Sequence, residues 1–305
     1  MTPKITSTVG SVAASTLLLG CGGTLVAAGS AEPVRLQLSF RPGQVAEYRT
    51  ELQTAQAFGT GPTPTGLATE SVTDVTHRTV TLGSQGEAVL EIDADPVSTR
   101  TNGQETQLAT NPEPWRITVA PEGAILDSTR PIAFDTGQEP GEAPVVQANP
   151  TGAISPFPLL ATEPVRPGTG WRGGGQTPSP FGGGTVPFRV RGLLAGYELV
   201  GAVRAAVVES RVVVELDVTV PAEEYLEKTS QTGFDLPPDA ALDYDGELRY
   251  VQRAWLQVDR GQMLGSEITG AFVTDVAWVG VPDARQGFDP VHVEGQLEAA
   301  TERTE

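Results

Sequence analysis

The chain has 305 residues, enough for one large domain or two smaller ones with a sizeable core. Hydrophobic residues make up 39% and charged residues only 19%, with 35 Gly and 25 Pro, which disfavours long helices and suits strands joined by many turns. The formal net charge of -18 gives an acidic surface that repels phosphate backbones and anionic lipid headgroups, so no nucleic-acid partner is expected.

Chemistry is concentrated at the N-terminus. Lys4 supplies a positive charge, and Val9 to Leu19 form an uncharged apolar run of the length of a signal-peptide core, short for a membrane span. Leu18-Leu19-Gly20-Cys21 then resembles the lipobox of bacterial lipoproteins, in which cleavage precedes a diacylated cysteine. The −3 side chain is apolar, the −1 residue is small, and the Cys21 thiol is the group that accepts the lipid. Two other outcomes stay open. Val26-Ala27-Ala28 and Gly29-Ser30-Ala31 offer small-residue sites for ordinary signal peptidase, and an uncleaved leader would act as a poor anchor. Each of the three places the folded part outside the cytoplasm. Cys21 is the single cysteine, so no intramolecular disulfide and no cysteine-based zinc site can form.

The expected organisation is a signal peptide over 1–20, a tether over 21–32, an N-terminal β half over 33–130, a Pro/Gly-rich crossing segment over 131–184, a C-terminal β half over 185–298 and a polar tail over 299–305. Val34 to Arg41 alternates apolar and polar residues, which predicts a half-buried strand. Arg41-Pro42-Gly43-Gln44 has the Pro-Gly centre of a type II turn, so this strand and the next, with Ala46, Tyr48, Thr50 and Leu52 on one face, are expected to form a hairpin. Ser71 to Leu82, Ala88 to Ala94 and Trp115 to Val119 follow as strands. The stretch from Pro131 to Gly184, ending in a glycine-rich run, reads as an extended crossing segment with partial packing at Phe157, Leu159 and Leu160.

In the second half Val212, Val214, Leu216, Val218 and Val220 alternate most strongly, and Pro221 to Lys228 is the best short helix. Asp243 to Gly246 reads as a hairpin turn, with Leu248 and Tyr250 facing inward. Strands are expected at Trp255 to Val258, Met263 to Trp278 and around Val291 to Leu297. Ile117 to Ser128 and Leu256 to Ser266 echo one another as strand, glycine turn and strand, a likeness that hairpins share generally.

Catalytic patterns are sparse. His77 and His292 lie far apart, outside any metal-ligand spacing, and His77 on a Thr-rich strand is expected to be solvated. Ser84 lacks the first glycine of a nucleophile elbow, and neither Lys4 nor Lys228 follows a serine by three residues. Ile132 to Gly137 contains an Asp135-Thr136-Gly137 like that of aspartic proteases, but no second copy exists. Asp243, Asp245 and Glu247 hint at calcium, yet Ala241 and Gln252 stand where an EF-hand loop needs its first and last acids. No metal or cofactor site is expected.

Phe40-Arg41-Pro42-Gly43…Tyr48 and Pro164-Val165-Arg166-Pro167-Gly168-Thr169-Gly170-Trp171 give the chain a resemblance to uncharacterised, exported β-rich bacterial envelope proteins, domains of unknown function with a lipoprotein-type signal peptide. The likeness spans roughly 34–278 and rests on turn and packing residues. It implies an envelope location and a β fold, and no reaction.

The expected fold is mostly β, with antiparallel sheets in either two linked β-rich halves or one large curved sheet or half-barrel. The expected function is that of a non-enzymatic cell-envelope lipoprotein, held to a membrane through Cys21, that binds a hydrophobic ligand or an envelope protein. A secreted carboxylate-dependent hydrolase is the alternative.

Overall fold

A computed structural model of the protein describes residues 32–59, 65–106, 113–129, 150–229, 236–281 and 288–304. Alternation in the sequence becomes thirteen antiparallel strands: β1 Val45–Gly59, β2 Thr65–Leu82, β3 Ala88–Thr101, β4 Gln104–Glu105, β5 Trp115–Val119, β6 Ile125–Ser128, β7 Gly170–Pro178, β8 Thr185–Val200, β9 Val203–Glu215, β10 Val218–Pro221, β11 Ala241–Gln257, β12 Gln262–Val279 and β13 Val291–Arg303. The helical element expected near Pro221 forms as α1, Ala222–Lys228, and a 3-10 turn spans Pro150–Ala153.

One sheet contains all thirteen strands, in the order β6-β5-β3-β2-β1-β13-β12-β11-β9-β8-β7, with β4 beside β3 and β10 beside β11. The curved-sheet form of the expectation is the one realised. The sheet bends almost into a barrel and leaves one unsealed seam, between the short edge strand β6 and the edge strand β7. The first and last long strands close the other side, because β1 pairs with β13 from Tyr48 opposite Arg303 to Gly59 opposite His292.

Each strand turns its apolar residues inward. Val186, Phe188 and Val190 on β8, Val212 and Val214 on β9, and Leu248 and Tyr250 on β11 join one continuous core. Ala46, Tyr48, Leu90, Ile92, Ile117 and Val119 belong to a second, at the end of the barrel where the N-terminal segment crosses. A buried Leu or Phe side chain contributes about 1.5–3 kcal/mol relative to exposure, so these inward rows are the main source of stability.

Four expectations are corrected. Leu36 and Leu38 are buried as the alternation predicts, but residues 35–44 join no ladder and make no hairpin with β1. Instead Val34 bridges Val165, Leu38 N–H donates to the Pro121 carbonyl at 2.7 Å, and Ser39 N–H donates to the Gly261 carbonyl at 2.9 Å, so the segment straps across the barrel end. Asp243 to Gly246 is the interior of β11 and not a turn; Gly246 is there because a Cβ would stand 2.2 Å from the Val273 carbonyl oxygen of β12. The glycine-rich run Gly173 to Gly175, expected in the crossing segment, is part of strand β7. Residues 299–303, expected as a polar tail, are the end of β13. The type II turn does form, with Gln44 N–H donating to the Arg41 carbonyl at 2.9 Å and Gly43 at φ 77°.

The echo between the β5–β6 and β11–β12 hairpins is a structural one. Both ladders carry a register shift, and both turns hold a positive-φ glycine, Gly123 at 90° and Gly261 at 61°. Each glycine lies against a segment inside the barrel. A Cβ on Gly123 would fall 2.0 Å from the Pro158 carbonyl oxygen, and one on Gly261 would fall 2.7 Å from the Gln37 carbonyl oxygen.

Candidate functional site

The concave side of the sheet is the first place to look for a ligand, and the chain itself occupies it. Ala153 at the end of the 3-10 turn, and Ser155, Phe157, Leu159, Leu160 and Ala161 after it, are all buried against the inward strand faces. Leu160 N–H donates to the Glu122 carbonyl at 2.8 Å, and Trp171 Nε1 of β7 donates to the Leu159 carbonyl at 3.3 Å. Gln252, inward on β11 and buried, points its amide at the carbonyls of Ser155 and Pro156, 3.4 and 3.5 Å away. Proline-rich backbone suits this place, since it brings few N–H groups that need partners.

Two small cavities lie beside that segment among the described residues. One of about 30 Å³ lies at the strapped end, lined by Tyr48, His77, Phe157 and Met263 among others. The other, of about 20 Å³, lies near the seam between Ile125 of β6 and Thr177 of β7, above Val212 and Tyr250. Each has room for only about one or two water molecules.

The strapped end gathers the buried titratable groups. His77 faces inward on β2 opposite Ala46, with ring centroids 4.8 Å from Tyr48 and 5.6 Å from Phe157. The expectation of a solvated His77 is therefore corrected: its neighbours on β2 are threonines, which occupy buried and exposed faces alike and so hide which face points in. Burial holds its imidazole down from 6.5 to about 4, so it is neutral at neutral pH. Tyr48 donates its hydroxyl to the Met263 carbonyl at 3.3 Å, and burial pushes its phenol up. These groups fill core space; the hydroxyls of Ser39 and Thr79 line the same cavity, and no carboxylate does among the described residues.

The other residues singled out by the sequence are dispersed. Cys21 and Asp135-Thr136-Gly137 lie outside the described residues. Ser84 sits exposed in the β2–β3 turn. His292 is exposed on the outward face of β13, with Nδ1 2.7 Å from Asp275 Oδ1. Asp243, Asp245 and Glu247 alternate along the outer face of β11, and no group of three metal-ligating side chains occurs among the described residues.

Glu198 is the site that sequence reading missed. Among the described residues it is the one buried carboxylate, on β8 just past the register shift at Leu194–Gly196. Arg253 Nη2 donates to Oε1 at 2.6 Å and Trp255 Nε1 donates to Oε2 at 2.8 Å, so both oxygens are engaged. Seen in one dimension it is one of 38 acids, and only the bulge and the β9–β11 register bring the three together.

The outer wall carries ion pairs on several strands, with single exposed apolar residues such as Leu199 and Val251 between them. Arg49 pairs with Asp74, Arg116 with Glu91, Arg189 with Glu215 and Arg249 with Glu247 on outward positions. A transmembrane β-barrel needs an apolar outer belt and a polar lumen. Here the polarity is reversed, with apolar rows inside and ionised rows outside. No helix among the described residues is long and apolar enough to cross a membrane.

No family model and no curated protein matches the chain. Among solved structures it is similar to Pseudomonas aeruginosa OccK2 in complex with glucuronate, at 8% identity over 87% of this chain and 100% of that one, with a TM-score of 0.25. It is also similar to Salmonella typhi OmpF in complex with daunomycin (7% identity, 87% and 100% covered, TM-score 0.23) and to a DUF1329 family protein from Desulfovibrio piger (9%, 85% and 86%, TM-score 0.16). Superpositions this loose carry no statement about function.

Proposed function

We propose that the protein is a non-enzymatic cell-envelope lipoprotein, exported by its leader and held to a membrane by acyl chains on Cys21, whose filled barrel acts through contacts of its surface with an envelope protein. The observation that carries this reading is the short distance in sequence between the lipobox and the fold. Leu18-Leu19-Gly20-Cys21 is followed by residues 22–33, and at Val34 the chain is already bonded into the barrel end. A tether of that length reaches at most roughly 40 Å, so a lipid on Cys21 would hold the barrel close to the bilayer. The charged outer wall supports a body beside the membrane and not within it.

Binding of a hydrophobic ligand in the concave face is the weaker form of the reading, because residues 153–161 fill that face and leave cavities of about 30 and 20 Å³. A pocket for a lipid-sized molecule runs to hundreds of Å³. A surface contact asks for no such rearrangement.

The test is the intact mass of the protein taken from the membrane fraction, beside the fractionation of Cys21→Ala. A mass that begins at Cys21 and includes acyl chains, with release of the variant into the soluble fraction, is expected. A mass that begins after Ala28 or Ala31, or unchanged fractionation of Cys21→Ala, removes the lipid anchor.

A further inference from the structure

We infer that the outer wall formed by β7, β8 and β9 is a docking surface for the anionic headgroups of the membrane that the tether approaches. The inference rests on the lipid-anchored reading above. Its basis is a row of three arginines: Arg172 on β7 lies opposite Arg191 on β8, which lies opposite Arg211 on β9. All three are exposed and share the outward face. None has an ion pair or a side-chain hydrogen bond among the described residues.

Like charges directly opposite one another on neighbouring strands destabilise a sheet. The chain has acids to spare, 38 against 20 bases, and the arginines on adjacent outward positions use them: Arg189 pairs with Glu215 at 2.5 Å, and Arg253 with Glu198 at 2.6 Å. The ladder is thus a patch of uncompensated positive charge on a molecule whose net charge is -18. Val251, next in the same row beyond Arg211, is 49% exposed and adds an apolar contact to its end.

The place where the chain leaves the body identifies the partner. Val34 N–H and C=O both bond to Val165, at 2.8 and 2.9 Å, and from Val165 the chain runs directly into β7. Gly168 N–H donates to the Leu194 carbonyl at 2.7 Å, and Leu194 lies three residues beyond Arg191. The tether therefore departs from the same edge of the barrel that carries the ladder. Guanidinium groups engage phosphate oxygens in pairs, and the phosphodiester headgroups at the foot of the tether supply them. The overall negative charge opposes long-range approach, so the contact is local and depends on the tether.

The experiment uses the full chain purified from membranes, as wild type and as the triple variant Arg172→Gln, Arg191→Gln, Arg211→Gln. Both are floated with vesicles of phosphatidylcholine alone and of phosphatidylcholine mixed with phosphatidylglycerol. Leader or acyl chains insert into either vesicle, so the readout is the ratio between the two. At about 1 kcal/mol per arginine near an anionic surface, the wild type should favour the anionic vesicles roughly 100-fold at low salt, and the preference should shrink as salt is added. The triple variant should lose the preference while unfolding at the same denaturant concentration or a higher one, since like-charge repulsion has been removed. Equal partition of the wild type, or a preference retained by the variant, overturns the inference. Retention of the wild type on immobilised polyglutamate without any vesicle preference overturns it too, and assigns the ladder to an acidic protein. An intact mass without acyl chains defeats the anchor alone, and a missing vesicle preference with acyl chains present defeats the docking alone.

Discussion

Val34 and Val165 are bonded to each other in both directions, Val34 N–H to the Val165 carbonyl at 2.8 Å and Val165 N–H to the Val34 carbonyl at 2.9 Å. This isolated antiparallel bridge joins the first residues described to the segment that has just filled the barrel. Leu36 and Leu38 then enter the core, at 2% and 4% exposure. Leu36→Ala should destabilise the protein by about 2–5 kcal/mol, the usual result of removing a buried leucine from a site that cannot collapse. Arg35→Ala, one position away and exposed, should change stability by less than about 0.5 kcal/mol. Urea denaturation of the pair decides whether the strap is part of the cooperative fold.

Acid should find the protein at His77. Its imidazole is held at about 4 by burial against an unfolded value of 6.5, so between those values the unfolded chain binds the proton and the folded one does not. This contribution is fully present above about pH 6.5, declines as the pH falls, and is gone below about pH 4. A displacement of that size amounts to about 3 kcal/mol. His77→Gln should flatten the stability profile across this window, measured as unfolding free energy against pH. The Asp74 carboxyl, held below 3.8 by its hydrogen bond to Arg49, titrates beneath the window and leaves the comparison intact.

Two turn glycines should respond differently to alanine. Gly43, at φ 77°, has open space where a Cβ would go, so Gly43→Ala should cost only the left-handed backbone strain of about 1–2 kcal/mol. Gly123 has both the backbone constraint and a carbonyl oxygen 2.0 Å from the Cβ position. Gly123→Ala must push the Pro158 backbone aside, and its loss should clearly exceed that of Gly43→Ala. Thermal unfolding of the two variants side by side tests the ranking.

Glu198 offers a graded test. Glu198→Gln keeps an oxygen for one of the two donors and should be the milder change. Glu198→Ala leaves Trp255 Nε1 without its acceptor and Arg253 with only Glu209, 3.7 Å away, and should cost about 1–3 kcal/mol, discounted because Arg253 is 37% exposed. Tryptophan fluorescence along with the unfolding midpoint reads both the loss and its location.

Alternation made most of this barrel legible. Where apolar and polar residues take turns, as from Ala88 to Ala94, the strand and its inward face follow directly; from Val212 to Val220 the inward face follows too, but the run is broken at Leu216-Asp217 into the end of β9 and β10. Alternation does not name a strand's neighbour, and so Leu36 and Leu38 showed their buried face without showing that they strap the barrel end. Strand β7 was hidden because three glycines carry no side chains to alternate. Asp243 to Gly246 has turn-forming residues, yet Gly246 serves a close approach of two backbones in mid-strand. Neither the clasp around Glu198, drawn from β8 and β11, nor the arginine ladder, drawn from the consecutive strands β7, β8 and β9, can be found without the register.

The pairing of β1 with β13 governs when the protein can fold. Tyr48 waits for Arg303 and Leu52 for Ala299, so a nascent chain cannot complete its sheet until β13 has emerged. Pairings this remote in sequence also make for slow folding, on the scale of roughly milliseconds to seconds. Deletion of β13 should leave β1 and β12 with bare edges and a chain prone to aggregate.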